Sequence, residues 1–163
     1  EVAGIEQTLS LLFAETERLR CGQRLLADRL FEVLLLQLLR WLLDHPGEGG
    51  MQPGLLAGLA HPKLARALTG MHERPGDTWS LERLAQAAGM SRSAFAAQFR
   101  AALGMPPGEY LLHWRVSVAQ TWLRAGRPVQ QISDALGYAS PAAFSRAFAQ
   151  VAGASPRQWL QQP

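Results

Sequence analysis

Residues 128–160, PVQQISDALGYASPAAFSRAFAQVAGASPRQWL, contain two helical segments separated by a tight glycine turn, and an earlier stretch repeats them. Residues 80–111, SLERLAQAAGMSRSAFAAQFRAALGMPPGEYL, align with this stretch at an offset of 48 that becomes 49 after one extra turn residue. The aligned pairs include Leu84 and Ile132, Ala85 and Ser133, Gly89 and Gly137, Phe95 and Phe144, and Phe99 and Phe148. Such self-similarity indicates two copies of one structural unit.

Each copy is predicted to be a helix-turn-helix, over residues 80–103 and 128–151. Small residues, Ala85 and Ser133, stand where two crossing helices approach closely, and Gly89 and Gly137 can adopt the positive φ that ends a helix. The alternative is a pair of ordinary helical hairpins. Because both copies keep the polar turn and the phenylalanine pair, the repeat favours the helix-turn-helix.

The rest of the chain is also predicted to be helical, so the expected fold is all-α: two helix-turn-helix subdomains joined by a long connector helix and preceded by an amphipathic helix pair. The predicted helices span residues 3–20, 25–43, 62–72, 80–88, 91–103, 107–125, 128–136 and 140–151, with a short turn from Ser155. A glycine-rich stretch, residues 46–54, is the predicted linker. It separates a helical linker or dimerisation segment, residues 1–54, from a DNA-binding domain, residues 55–163.

The segment from Leu25 to Leu43 is more apolar than a helix with one covered face requires. Charged residues, among them Asp28, Arg29 and Arg40, interrupt it, so no membrane span is predicted. Two alternatives remain open. The segment is buried in an intramolecular core, or residues 25–43 form the interface of a homodimer.

Composition and charge restrict the class of protein. Among 163 residues, 48% are hydrophobic and 18% charged, which indicates a folded globular protein. The single cysteine and scattered histidines exclude a disulfide framework, and neither a metal nor a cofactor is predicted. No catalytic motif is present, so an enzyme is not expected. The chain begins at Glu1 without a signal peptide, and we expect an incomplete, cytoplasmic protein.

Positive charge is concentrated in the half that holds the repeat. Residues 71–163 have nine basic and five acidic side chains, whereas residues 1–70 have seven basic and eight acidic ones. This half is the one expected to meet a polyanion.

Helix geometry predicts which side chains of the second helix in each unit face double-stranded DNA when the phenylalanines point inward. In the first unit these residues are Arg92, Ser93, Ala96, Ala97 and Arg100. In the second unit they are Ala142, Ser145, Arg146, Ala149 and Gln150. Arg146 is the strongest candidate for a base contact, because a guanidinium can bond guanine O6 and N7 together. The alternative is a surface arginine that meets water or phosphate.

The predicted connector, residues 107–125, would measure roughly 28 Å. Such a spacer could hold the second helix of one unit about 34 Å from the second helix of the other, which is one turn of DNA. One chain could then enter two successive major grooves.

These residues resemble the AraC/XylS family of bacterial transcription regulators over about residues 61–163. The second copy carries the signature: Gly137, Tyr138, Ser140, Phe144, Ser145, Arg146, Phe148, Gly153, Ser155 and Pro156. Arg115 and Ala119 fit the connector pattern of the family.

The resemblance implies a sequence-specific regulator with base contacts in both units. These fall at Ser93, Ala96, Ala97, Ala142, Ala143, Ser145 and Arg146. The family often has larger polar residues at the first three positions, so weak sequence discrimination is expected there. RNA polymerase is a further implied partner. A cupin-like sensor barrel commonly precedes this part, and residues 1–45 resemble only its helical end. The alternative function is a helical interaction module without specific DNA binding.

Overall fold

The computed structural model describes residues 2–16, 21–45 and 54–162, and every regular element in these ranges is an α-helix. The helices are α1 (Val2–Thr16), α2 (Gln23–Asp44), α3 (Leu55–Ala60), α4 (Pro62–Glu73), α5 (Leu81–Ala87), α6 (Arg92–Leu103), α7 (Pro107–Arg124), α8 (Val129–Ala135), α9 (Pro141–Ala152) and α10 (Pro156–Trp159). The chain divides into two compact units, residues 1–52 and residues 53–163. The predicted all-α fold is confirmed. The predicted linker, residues 46–54, lies outside the described residues except for Gly54.

The first unit is a pair of helices, α1 and α2. Gly22, with φ of +80°, precedes α2, and the side-chain amide of Gln23 donates to the carbonyl oxygen of Glu15 at 2.7 Å. In α1 the hydroxyl of Thr8 donates to the carbonyl oxygen of Gly4 at 2.9 Å. The predicted end of the first helix, residues 17–20, lies outside the described residues.

Most of the apolar surface of this helix pair is exposed. Among the described residues of the pair, only Leu34 and Thr8 are buried. The exposed large apolar side chains are Leu11, Phe13, Leu25, Leu26, Phe31, Val33, Leu35, Leu36, Leu38 and Leu39. Within this unit, the packing of α1 against α2 therefore leaves much of the apolar surface of α2 uncovered. No helix in the described ranges is long and apolar enough to cross a membrane.

The second unit contains two apolar cores that share α7 but no side chain. The first core is built from α4, α5, α6 and the start of α7, and it ends at Leu111. The second core begins at Val116 and continues through Ala119 and Leu123 into α8 and α9. Each helix-turn-helix therefore has a core of its own, and α7 connects them.

Helix α3 was not predicted. It has only six residues, and its Gly58 is buried beneath two leucine side chains: a Cβ built there would overlap both Leu103 and Leu68. Packing rather than periodicity therefore determines this helix.

A stacked aromatic cluster attaches the start of α7 to α4. The His72 ring lies 4.1 Å from the Trp114 ring, and its Nε2 is 2.7 Å from the Tyr110 hydroxyl oxygen. Burial lowers the pKa of His72, so the ring is neutral at pH 7. The cluster fixes the direction in which α7 leaves the first core.

The predicted helix crossing points are confirmed, because Ala85 and Ser133 are both buried. They differ in one respect: the buried hydroxyl of Ser133 has no hydrogen-bond partner within the described residues. We expect Ser133→Ala to raise the free energy of unfolding by about 1 kcal/mol, because an unpaired buried polar group costs about 1–3 kcal/mol. Urea denaturation of the full chain measures this change.

The first copy provides the matched control. Ala85→Ser places the same hydroxyl at the equivalent buried position and is expected to lower stability by a similar amount. Loss of stability in Ser133→Ala would show that the hydroxyl has a hydrogen-bond partner in solution.

Candidate nucleic-acid interface

The two helix-turn-helix units have matching turns. Gly89 has φ of +62° and Gly137 has φ of +75°, as the sequence predicted. In the first turn, the amide of Met90 donates to the carbonyl oxygen of Ala85 at 2.9 Å. In the second turn, the amide of Tyr138 donates to the carbonyl oxygen of Ser133 at 3.0 Å. These bonds run from the sixth residue of the turn to the first, and they satisfy the last carbonyls of α5 and α8.

The second helix of each unit is capped at both ends. The hydroxyl of Ser91 accepts from the amide of Ala94 at 3.3 Å, and the hydroxyl of Ser140 accepts from the amide of Ala143 at 3.2 Å. A glycine with φ near +75° ends each helix. Helices α6 and α9 therefore have the same length, and each begins after a serine cap and ends before a glycine.

Phenylalanine side chains hold the inner faces of α6 and α9. Phe95, Phe99 and Phe148 are completely buried, and Phe144 is 1% exposed. The paired ring centroids are 5.4 Å apart in α6 and 5.7 Å apart in α9, spacings typical of interacting aromatic rings. The prediction that the phenylalanine side chains of both helices point into the core is thereby confirmed.

None of the residues predicted to contact DNA is buried. On α6, Arg92, Ser93, Ala97 and Arg100 are exposed, and Ala96 is half-buried. On α9, Ala142, Arg146 and Gln150 are exposed, whereas Ala143, Ser145 and Ala149 are half-buried. Each helix thus presents one solvent-facing surface made of small and polar side chains.

Most arginines of residues 71–163 have partners in the protein. Six of the nine have guanidinium groups in ion pairs, hydrogen bonds or aromatic contacts: Arg74, Arg83, Arg92, Arg115, Arg124 and Arg127. Within the described part of the chain, the side chains of Arg100, Arg146 and Arg157 have no such partner. Two of these three project from α6 and α9, where an unpaired guanidinium is available to a phosphate or a base edge.

Arg92 has a partner that was not predicted from the sequence. The Arg92 guanidinium donates to Oε1 of Glu82, ten residues earlier on α5, at 2.7 Å. This bond lowers the pKa of Glu82, so the carboxylate stays ionised. Both side chains are mostly exposed, so the pair contributes little to stability. Since no local motif links the two positions, the pair is evident only from the structure.

Two family models match parts of this chain. A helix-turn-helix domain model matches residues 84–162, and a cupin model matches residues 1–44. The described part of the cupin-matched segment consists of α1 and α2, rather than strands.

Relatives are similar over nearly the whole chain. An AraC-like transcription regulator of Streptomyces antibioticus is 36% identical over 98% of this chain and 52% of its own length. The HTH-type transcriptional regulator AlkR of Acinetobacter baylyi is 34% identical over 91% of this chain and 48% of its own. The chain thus spans about half the length of these curated relatives.

A solved structure shares the fold. The DNA-binding domain of the global transcriptional factor AdpA, crystallised in complex with a target DNA, is 30% identical with a TM-score of 0.55. The similarity covers 58% of this chain and 86% of that domain.

Proposed function

Because this chain belongs to the AraC/XylS family of bacterial transcription regulators, we propose that its carboxy-terminal unit binds specific DNA sequences and thereby regulates transcription. The observation that carries the proposal is the duplication of one helix-turn-helix, with a buried phenylalanine face and an exposed polar face on both second helices. Helices α6 and α9 are the proposed recognition helices.

In the proposed complex, α6 and α9 enter two successive major grooves on one side of the duplex. The connector α7 has 18 residues and is therefore about 27 Å long. That length is compatible with one turn of DNA, about 34 Å, between the centres of two recognition helices that project from its two ends.

The exposed residues suggest different roles for the two helices. Arg146 is proposed to contact a guanine, since it lies near the middle of α9 and its guanidinium has no partner among the residues that the structure describes. The small side chains of Ser93, Ala96 and Ala97 allow the backbone of α6 to approach the groove closely and place methyl groups near thymine. Arg100 and Arg92 flank this surface and are proposed to contact phosphate or base edges.

We expect the affinity for double-stranded DNA to fall steeply with salt. A protein that makes several phosphate contacts releases condensed counterions, and about six contacts weaken binding by roughly a thousandfold between 50 and 200 mM salt. Fluorescence anisotropy with fragments selected from genomic DNA by the full chain provides the measurement.

This salt titration also separates the alternative function. A helical interaction module without specific DNA binding would select no fragments, and its apolar contacts would persist or strengthen as salt increases. Failure to enrich any sequence over random DNA would contradict the proposal.

The exposed apolar face of α2 supports a second proposal, that two chains associate through residues 25–43. Burying several leucines that are now 37–64% exposed would provide the apolar interface that stable homodimers have. RNA polymerase, the further partner suggested by the family, is proposed on that ground alone.

Mass measurement in solution tests the association. A chain of 17.9 kDa is expected to sediment at twice that mass, and Leu35→Glu is expected to shift it towards the monomer. Leu160→Glu, which alters an exposed leucine outside α2, is the control. A wild-type chain that stays monomeric at micromolar concentration would exclude a stable homodimer through α2.

A further inference from the structure

The loop between α4 and α5, residues 74–80, is fixed to the first helix-turn-helix. The indole Nε1 of Trp79 donates to the carbonyl oxygen of Arg74 at 2.9 Å. The Trp79 ring packs so closely on Gly70 that a Cβ there would overlap it, and the Arg83 guanidinium lies 4.3 Å from the ring centroid. Arg83 also pairs with Asp77 at 2.7 Å. The loop therefore moves with the first core.

The tip of this loop contacts the turn of the second helix-turn-helix. Gly76 and Gly137 are in direct backbone contact: a Cβ on Gly76 would overlap the carbonyl oxygen of Ala135, and a Cβ on Gly137 would overlap that of Gly76. Two glycines are needed because any side chain at either position would separate the two backbones. The contact joins residues about 60 positions apart in sequence. It therefore gives the two helix-turn-helix units a connection besides α7.

Arg115 lies in α7 and binds both sides of this contact. Its Nε donates to the carbonyl oxygen of Pro75 at 2.7 Å, and its Nη2 donates to the carbonyl oxygen of Asp77 at 3.0 Å. The same guanidinium lies 5.5 Å from the ring centroid of Tyr138. A planar guanidinium suits this task because it donates in fixed directions and stacks on an aromatic ring at the same time.

Tyr138 transmits the contact to the second recognition helix. Its ring meets Phe144, in the first turn of α9, edge to face with centroids 5.5 Å apart. Only the Tyr138 side chain thus stands between the Arg115 guanidinium and Phe144 on the core face of α9.

We propose that Arg115, with the Gly76–Gly137 contact, is a positioning device that sets the distance between α6 and α9 and so determines which half-site spacing the protein accepts. Two subdomains joined only by a helix can bend and twist at its ends, whereas a second connection restricts both motions. The role in spacing rests on the proposed DNA binding, but the restriction of distance does not.

The first test measures distance in the free protein. Spin labels at Gln98→Cys on α6 and Gln150→Cys on α9, in a full chain with Cys21→Ser, report the separation of the two helices by pulsed electron resonance. The wild-type background is expected to give one narrow distribution, and Arg115→Ala a clearly broader one. Arg127→Ala, which removes a guanidinium stacked on Trp122 at the end of the same helix, is the matched control.

A second variant addresses the glycine contact. Gly76→Ala inserts a methyl group between the two backbones and is expected to shift the mean distance. Gly108→Ala, at a position with open space around it, should leave that distance unchanged. Should Arg115→Ala fail to fold by circular dichroism, Arg115→Gln retains one donor and replaces it.

The second test measures spacing preference. Fragments selected by the wild-type chain are altered by inserting one or two base pairs between the half-sites. The wild-type chain should prefer the original spacing, and Arg115→Ala should reduce that preference by about fivefold, the lower end of couplings between linked sites. Simple loss of stability would weaken binding to all spacings equally.

The outcomes separate the two proposals. An unchanged distance distribution together with an unchanged spacing preference in Arg115→Ala overturns the positioning role while DNA binding stands. Failure of the wild-type chain to bind any fragment overturns the proposed function, and the spacing role with it.

Discussion

Truncating Phe99 to Ala is expected to lower the free energy of unfolding by about 3–5 kcal/mol, the cost of removing a buried phenylalanine ring from a packed core. The Phe99 side chain is completely buried, and it contacts Phe95 in its own helix and Tyr110 at the start of α7. Its loss therefore leaves a cavity at the junction between α6 and the connector. Phe144→Ala is expected to cost a similar amount in the second core, where the ring meets Tyr138 and Phe148.

Calorimetry and urea denaturation of the full chain measure both effects. Gln98→Ala, at the exposed neighbour of Phe99, is the control and should change stability by less than about 0.5 kcal/mol. If Phe99→Ala and Phe144→Ala were as mild as this control, the two rings would be on the surface in solution. The assignment of the opposite faces to DNA would then be wrong.

Replacement of Arg146 with Ala is expected to weaken binding to the selected sequence by about 1–3 kcal/mol and to relax discrimination at one base pair. The physical reason is the loss of two parallel hydrogen bonds to the guanine edge. The fold should be unaffected, because the side chain is exposed and has no partner among the described residues. Competition binding with every single-base variant of the selected site identifies the affected position.

Two variants separate base recognition from charge. Arg157→Ala removes from α10, outside the recognition helices, a guanidinium that has no partner in the described part of the chain, and it should leave sequence preference unchanged. Arg146→Lys keeps the charge but lacks the forked donor geometry, so it should retain part of the affinity and lose the discrimination. An Arg146→Ala protein with the wild-type order of preferred sequences would limit Arg146 to phosphate or water contacts.

The repeat is the part of the fold that sequence predicts best. Gly89 and Gly137 mark the turns, and the phenylalanine pairs fix the inner faces, because both features depend on local geometry that is present twice. The four serine caps, at Ser80, Ser91, Ser140 and Ser155, follow from the same local rules and are present in the structure.

Features that depend on tertiary contact were not predicted. Val116 of α7 is buried in the second core, and its burial depends on which side of α7 packs against the second helix-turn-helix. The Gly76–Gly137 contact and the Glu82–Arg92 pair each join separate elements, so spacing along the chain gives no signal for them. The candidate DNA surface was predictable in outline, whereas the arginines left without protein partners could be identified only from the coordinates.

The two cores of the second unit share a helix but no side chain, and this separation has a consequence for the history of the duplication. Packing substitutions in one copy are largely additive with those in the other, since distant sites with no common neighbours act independently. After a gene segment is duplicated, one copy can therefore accumulate substitutions that change its base preference. The other copy keeps binding the original operator sequence. The exposed position that Arg146 occupies in α9 is occupied by Ala97 in α6, which is the kind of asymmetry that such independent drift produces.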